Sequence, residues 1–526
     1  MRGRKKHTLL KTTAFFRGVQ ALLVGGVAGV WLAGCRGAIE PSSREPGVQN
    51  TPGASSSTGA NSPTGANSED SSQPEQPSPD DTWGVLPQPT NVSEDGGSSA
   101  QSPAGVCPDC GPSVEEFFAP GKLATLRIEI SDEALGRYAR EDWLDELWRV
   151  WDHCKPFTFV PARMTYESPD GVGSVTLDNV GMRLRGSWKR GTNEIQGFKL
   201  DPQVFDSPGP EGKRRFADLN RINILSIEDD PSHMTQCLAY RTLRDAGLPA
   251  PRCNHLKVYV NGVFYGLLEN VEQVNHGFVR RHFGTNVGHL YGGSPSSADC
   301  PDGFQDSRAR LQYSGDAFSN YRDQYELTVA TESDAEADLI PALKCGDPKS
   351  TPDDAAFRAC ISDWLDVDAW LTQIAGESVM PTLESLIGYY RNFYLYFRPE
   401  PQTAHGGRFV IWSWDLDRAF GKQHCFPSNC DVFTAVSSLF GPRNARAPLI
   451  KRLTSVFHPE YCSALRRYLT AYNPALVDQM AQVMEPGMNE DTSVSTWEWT
   501  AAVNELRTYM ARRKQDVEAQ IATSCP

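Results

Sequence analysis

The chain has 526 residues and a formal net charge of −14 at pH 7. This acidic balance excludes a generally basic surface of the kind that binds nucleic acid, so we predict no nucleic-acid partner. The chain contains 13 cysteines, and setting Cys35 apart leaves an even number. An even set of this size indicates disulfides formed in an oxidising compartment.

The N-terminus has the layout of an export signal. Basic residues between Arg2 and Lys6 precede the apolar run ALLVGGVAGVWLAG, which ends at Cys35. The segment Leu32-Ala33-Gly34-Cys35 resembles a bacterial lipobox, which implies a lipoprotein signal peptide over residues 1–34 and acylation of the Cys35 thiol. We therefore expect a lipid-anchored protein of the cell envelope, at the outer membrane or cell surface if the cell is Gram-negative. An uncleaved N-terminal anchor is the alternative.

Residues 35–112 are dominated by Ser, Pro, Gly, Asn, Asp and Gln, with hardly an aromatic residue. This composition predicts a disordered tether ahead of a folded domain over residues 113–526. Cys107 and Cys110 have CxxC spacing, which fits a redox site, half a zinc site or a structural disulfide. Because no second CxxC accompanies them, we favour the disulfide.

Strand patterns begin the folded part. Alternation of apolar residues predicts strands in LATLRIEI, FTFVPARMTYE and VGMRLRG. A glycine-containing turn then carries Arg183, Arg185, Lys189 and Arg190, and the strand-like FKL that follows carries Lys199. A basic turn between strands suits an anionic group such as a nucleotide phosphate, which makes Arg185 and Lys199 candidate nucleotide ligands. A solvated basic turn is the alternative, and these residues taken alone favour it.

A helix and a hairpin come next. DDPSHMTQCLAYRTLRDAGLPAP predicts a helix with Ser232 as N-cap and Gly247 at the C′ position. In HLKVYVNGVFYGLLENVEQV, the pair Asn261-Gly262 predicts a two-residue turn, and the final strand leads to Glu272. The second half contains several helical stretches, and the last predicts a helix or helix pair that runs almost to the C-terminus.

A second hairpin lies within residues 391–421, where NFYLYF and FVIWSWDLD flank a turn-rich segment. Alternation puts Asn392 on one face of its strand and puts Asp415 and Asp417 together on the other strand. An amide and two carboxylates form an all-oxygen set, which suits a hard cation such as Mg²⁺ that also holds water and phosphates. A capped, solvated strand end is the alternative.

The order of these motifs resembles that of a known family. The succession RLRG, FKL, LAYRTLRDAGLPAP, VYVNGVFYGLLENVEQV, NFYLYF and WDLDRAFG is similar to the CotH family, named for a spore-coat protein and regarded as atypical secreted protein kinases. The resemblance implies an α+β, protein-kinase-like bilobal fold. In that fold a strand-rich N-lobe over about residues 120–273 and a mainly helical C-lobe over about 274–526 would hold ATP between them.

The resemblance also implies the site. Lys199 would be the nucleotide-binding lysine, and Glu272 would lie at or near the hinge and contact the nucleotide. Asn392 and Asp415 would bind Mg²⁺ or Mn²⁺, with Asp417 as the second acid of the motif. Asp415 then counts as catalytic as well, because metal ions bridge the transferred phosphates.

The catalytic base is where the chain departs from the family. The family usually has an Asp eight positions before the Asn, and Glu384 stands there in this chain. The extra methylene moves the carboxylate, and a misplacement of about 1 Å can cost on the order of a hundredfold in rate. We expect a kinase that phosphorylates hydroxyls of exported or cell-surface proteins, with Glu384 as base. A catalytically impaired pseudokinase or a structural or adhesion module of the envelope is the alternative.

Overall fold

The computed structural model describes residues 109–134, 159–185, 197–205, 214–227, 230–285, 287–293, 309–421, 438–440 and 448–526. The predicted signal peptide, Cys35 and all but the last few residues of the predicted tether lie outside the described residues, as do Lys189 and Arg190. No helix in the described ranges combines the length and the apolarity that a membrane crossing requires.

Short, alternating strands dominate the first half of the described chain. They are β1 Asp109–Cys110, β2 Ala124–Ile130, β3 Val160–Glu167, β4 Ser174–Arg185, β5 Gly197–Asp201, β6 Arg215–Phe216, β7 Ile222–Leu225, β8 Cys253–Val260, β9 Val263–Val271, β10 His289–Gly293, β11 Tyr325–Val329, β12 Phe393–Pro399 and β13 Gly407–Ser413. Alternate residues of β2 and β3 are buried, as the sequence pattern predicts for strands with one face in a core.

Seven strands close into a barrel in the order β2-β3-β4-β5-β7-β9-β8. Neighbours are antiparallel except at the closure, where β2 runs parallel to β8 from the pair Ala124–Leu256 to the pair Ile128–Val260. Buried apolar side chains such as Met164 fill the interior. The turn between β8 and β9 has positive φ at Asn261 and Gly262, which confirms the predicted two-residue turn.

The prediction of a protein-kinase-like bilobal fold is wrong, because a closed seven-stranded barrel points to a different fold. The predicted C-lobe also contains a second, four-stranded antiparallel sheet in the order β11-β10-β12-β13. Alternation identifies strands, but it carries no information about which strand edges meet. The closure joins β2 to β8, which are far apart in the chain, and local patterns do not specify that pairing.

Helices come between the strands and follow the last of them. In the described chain they are α1 Val114–Phe117, α2 Thr235–Asp245, α3 His276–Phe283, α4 Glu332–Ala337, α5 Leu339–Gly346, α6 Asp354–Trp364, α7 Val367–Val379, α8 Pro448–Val456, α9 His458–Ala471, α10 Ala475–Met488 and α11 Thr496–Ser524. The last predicted stretch is one helix of 29 residues that begins with a capping box between Ser495 and Glu498. Apolar side chains of α2, α7 and α9 share one large core with the second sheet.

The start of α2 differs from the prediction. Ser232 is not its N-cap, because the helix begins at Thr235. Asp230 takes over the capping function, since its carboxylate accepts the backbone N–H groups of Met234 at 3.0 Å and Thr235 at 2.8 Å. The end of the helix agrees with the prediction, and Gly247 has a φ of 92°.

Disulfides hold several of these elements together. Three bridges join Cys237 to Cys253, Cys345 to Cys360 and Cys462 to Cys525. Cys110 is disulfide-bonded as well. The disulfide interpretation is thus confirmed for these cysteines, while the pairing of Cys110 with Cys107 stays a prediction, since Cys107 lies outside the described residues.

Candidate functional site

The β12–β13 hairpin brings Asn392 next to Asp415. Asn392 precedes β12, and its N–H donates to the carbonyl of Gly293 in β10 at 3.1 Å. Trp414 follows β13, and its N–H donates to the carbonyl of Asn392 at 2.7 Å. Asn392 and Asp415 have φ values of 59° and 56°, a left-handed conformation that Asn and Asp adopt more readily than most residues. The hairpin prediction is confirmed.

The side-chain amide of Asn392 is oriented by the segment that carries Glu384. Its Nδ2 donates to the Glu384 carbonyl at 3.2 Å. Because the amide nitrogen has this partner, the Oδ1 oxygen points away from it. An oriented amide oxygen is a ligand that Mg²⁺ or Mn²⁺ accepts, so Asn392 fits the predicted metal-binding role.

Helix α2 fixes the backbone that follows β13. The hydroxyl of buried Tyr240 accepts the Asp415 N–H at 2.9 Å, and Oε1 of buried Gln236 accepts the Leu416 N–H at 3.2 Å. The strand ends at Ser413. Strand alternation therefore does not place Asp415 and Asp417; the contacts with α2 do. The Asp415 side chain is exposed above this anchored backbone.

The acidic residues Asp230 and Asp417 interact with Glu269 next to α2. Gln236 Nε2 donates to Oε2 of Glu269 in β9 at 2.6 Å, and Glu269 is 1% exposed. Burial raises the pKa of Glu269 to about 8, and the charges of Asp230 and Asp417 act in the same direction. The negative charges of Asp230 and Asp417 thus act on one buried carboxyl group, and a divalent cation bound nearby would offset them.

Glu384 lies beside the motif. Its carbonyl holds Asn392, and its Oε1 lies 3.5 Å from Nη1 of Arg418, the residue after Asp417. Both charged side chains remain partly exposed. The structure therefore brings the predicted base together with Asn392 and the Asp415 motif, and it adds a cation beside the base.

Lys199 lies in the barrel wall, where β5 pairs it with Arg183 of β4 and Asn223 of β7. The Lys199 charge acts on Glu326 of β11. Desolvation by the surrounding protein raises the pKa of the Glu326 carboxyl, and the charge of Lys199 opposes that shift. The register of the second sheet places Glu326 opposite Gly292. Lys199 thus interacts with the sheet that carries Asn392.

The two other predicted nucleotide ligands lie at strand ends. Arg185 is the last residue of β4 and pairs with Gly197. Glu272 follows β9 and is fully buried, where it accepts hydrogen bonds from Arg252 at 3.0 Å, Arg281 at 2.9 Å and His282 at 3.0 Å. Burial alone would raise the pKa of Glu272, but these partners lower it to about 2. Nucleotide binding by Arg185 and Glu272 stays a prediction.

Sequence reasoning missed Gln236, Tyr240, Glu269 and Glu326. A signal existed for the first two, because a spacing of four residues puts them on one face of α2. Glu269 and Glu326 are single acids on strands, and their neighbours come from distant segments. No local pattern marks residues of that kind.

Comparison with protein families adds an independent finding. A family model described as CotH kinase protein matches residues 182–517, which is more than half of the chain. The chain belongs to the CotH kinase family. The matched residues include Lys199, Glu384, Asn392 and the Asp415 motif. Strands β2 and β3 of the barrel come before the matched range. Comparison with curated proteins gives no match.

Proposed function

We propose that the chain transfers the γ-phosphoryl group of ATP to hydroxyl groups of exported or cell-surface proteins. The observation that carries this proposal is that hydrogen bonds of Asn392 join it to the Glu384 carbonyl and to Trp414, the residue before Asp415. Membership of a kinase family supports a kinase-type reaction with ATP and a divalent metal ion. The class of acceptor rests on the predicted export signal.

The side chains at the hairpin end fit the expected metal ion. Asn392 Oδ1 and the carboxylates of Asp415 and Asp417 supply oxygen ligands only, as Mg²⁺ and Mn²⁺ prefer. When bound, the ion would supply positive charge that offsets the negative charge of the phosphates in the transition state. In this proposal Lys199 and Arg185 bind the phosphates, and Glu384 orients the acceptor hydroxyl and takes its proton.

The location is part of the proposal. Acylation at Cys35 would anchor the chain to a membrane, and the Ser-rich and Pro-rich residues 35–112 would let the folded part reach acceptors at a distance from it. The disulfides of the folded part support an oxidising compartment.

Incubation of the full chain with labelled ATP, an acceptor protein and Mg²⁺ or Mn²⁺ tests the reaction. We expect label on the chain or the acceptor, and a loss on the order of 10²- to 10³-fold in Asp415→Ala. Asp245→Ala is the matched control, because Asp245 is an aspartate on α2 whose partner is Arg241. No transfer by the wild type with either metal would reject the proposal.

A pseudokinase or structural module is the second candidate. The observation that favours it is Glu384 itself, which replaces the family's usual Asp and lies near Arg418. ATP binding without turnover, together with turnover in Glu384→Asp, would establish this candidate. Turnover by the wild type that Glu384→Gln abolishes would exclude it.

A further inference from the structure

Glu377 lies in the last turn of α7 and is fully buried. Two segments that the proposed reaction needs pass on either side of it. One is the segment from Pro381 to Asn392, which carries Glu384. The other is the end of β13 at Ser413, two residues before Asp415.

The Glu377 carboxylate binds both segments at once. Its Oε2 accepts the backbone N–H of Ile387, three residues after Glu384, at 3.0 Å. Its Oε1 accepts the hydroxyl of Ser413 at 2.5 Å and Nε2 of Gln373 at 2.9 Å. Ile387, Ser413 and Gln373 thus all donate to the two oxygens of one side chain, and these hydrogen bonds join the two segments through a single group.

The surrounding backbone transmits this position to the functional side chains. Ser413 pairs directly with Phe393, the residue after Asn392. In the other segment the Ser385 hydroxyl donates to the Thr382 carbonyl at 3.0 Å and accepts the Gly388 N–H at 3.3 Å, which makes a compact turn around Glu384. A shift of the Glu377 carboxylate would thus change the distance between Glu384 and Asp415.

We propose that Glu377 is a positioning residue that sets the separation between the Glu384 base and the Asp415 metal ligand. The inference rests on the proposed phosphoryl transfer. Core filling alone does not account for a carboxylate here, because a buried ionisable group is costly and an apolar side chain of similar volume often stabilises as well or better. The carboxylate supplies acceptors at two fixed points, which an apolar side chain lacks.

Two substitutions at Glu377 distinguish the effect of side-chain length from the effect of side-chain charge. Glu377→Asp keeps the carboxylate but is one methylene shorter, so it cannot reach Ile387 and Ser413 together. Glu377→Gln keeps the length; its oxygen can accept from Ile387 while the Ser413 hydroxyl turns to accept from the new amide. We expect kcat per folded molecule to fall on the order of a hundredfold in Glu377→Asp and less in Glu377→Gln, with the KM for ATP nearly unchanged.

Glu400 offers a matched control at the opposite end of the same hairpin. It is also buried, and its carboxylate accepts from Arg398 Nε at 2.9 Å and Arg408 Nε at 2.8 Å. Glu400→Asp is therefore expected to lower the melting temperature without changing kcat per folded molecule. A purely structural Glu377 would give the same result as this control.

Amide hydrogen exchange supplies a readout that does not depend on activity. Glu377→Asp is expected to speed exchange in residues 382–392 and 413–418 of the full chain, and Glu400→Asp is expected to leave both ranges unchanged. Unchanged exchange in these ranges, or an unchanged kcat per folded molecule, would overturn the inference. Faster exchange combined with an inactive wild type would uphold the positioning by Glu377 and reject only the proposed function.

Discussion

Glu269 and Glu272 lie three residues apart at the end of β9, and both are buried from solvent. Their carboxyl groups nevertheless have opposite pKa shifts. Burial raises the pKa of Glu269 to about 8, with added repulsion from Asp230 and Asp417. Burial opposes ionisation of Glu272 as well, but His282, Arg281 and Arg252 lower its pKa to about 2. Partners, and not burial, therefore decide which glutamate is charged at neutral pH.

The two glutamates therefore have different surroundings. On the side of Glu272, basic groups of α3 and Arg252, the residue before β8, neutralise the acid and tie the helix to the barrel. On the side of Glu269, the charges of Asp230 and Asp417 act on one buried carboxyl group, and the Asp415 motif lies there. We infer that the first side stabilises the fold and that the second is arranged to receive a cation.

Removal of the charge on the first side has the largest expected effect. In Glu272→Gln, Arg281, which is 8% exposed, loses its buried counter-ion but keeps its contact with Asp218 at 3.4 Å. A buried charge left without its partner costs about 3–5 kcal/mol in the free energy of unfolding, and the remaining contact places the expected loss near the lower end of that range. Urea denaturation at pH 7 measures the loss. The control is Glu167→Gln, whose partner Arg127 is partly exposed, and we expect a loss below about 1 kcal/mol there.

The pH dependence of stability gives a second test of Glu272. The folded pKa of Glu272 lies below its ordinary value, so its stabilisation is present above about pH 4.5 and is lost as the pH falls towards 2. Wild type and Glu272→Gln should therefore converge in stability at acid pH. A gap that stays constant down to pH 2 would contradict the assigned charge.

Glu269 is expected to make stability depend on pH in the opposite direction. The folded pKa of Glu269 lies above its ordinary value, so the folded state keeps a proton between about pH 4.5 and 8 that the unfolded state has lost. This group therefore lowers stability as the pH rises through that window, by an amount on the order of a few kcal/mol. Glu269→Gln should match the wild type at low pH and exceed it above pH 8, as thermal denaturation across this pH range would show.

Local patterns in the sequence predict the contacts between neighbouring residues but not the contacts between distant segments. The Asn261-Gly262 turn and the β12–β13 hairpin follow from neighbouring residues, and the order of motifs identifies the family. The barrel closure, the contact of Tyr240 with Asp415 and the basic partners of Glu272 join distant segments. Such pairings depend on the packed chain, and the resemblance in motif order that implied a kinase-like bilobal fold does not specify them.

The contact of α2 with the motif has a smaller expected effect. Tyr240→Phe removes the hydroxyl that accepts the Asp415 N–H, and loss of this part-buried hydrogen bond costs about 0.5–1.5 kcal/mol in the free energy of unfolding. Because this hydrogen bond holds the backbone of the proposed ligand, Mn²⁺ affinity measured by calorimetry should fall as well. Tyr259→Phe is the control, since its hydroxyl contacts Glu490 near the surface. Equal Mn²⁺ affinities in both variants would show that α2 does not position the motif.

The smallest effect is expected at Arg418, a basic side chain on the acid-rich side. Its ion pair with Glu384 is partly exposed at both ends, so Arg418→Ala should change the free energy of unfolding by less than about 1 kcal/mol. Loss of one positive charge near the motif should nevertheless strengthen Mn²⁺ binding about two- to fivefold at low salt, and added salt should remove the gain. If Mn²⁺ binding weakened instead, Arg418 would be holding Glu384 and the motif in place, and the charge balance of this side would not govern cation affinity.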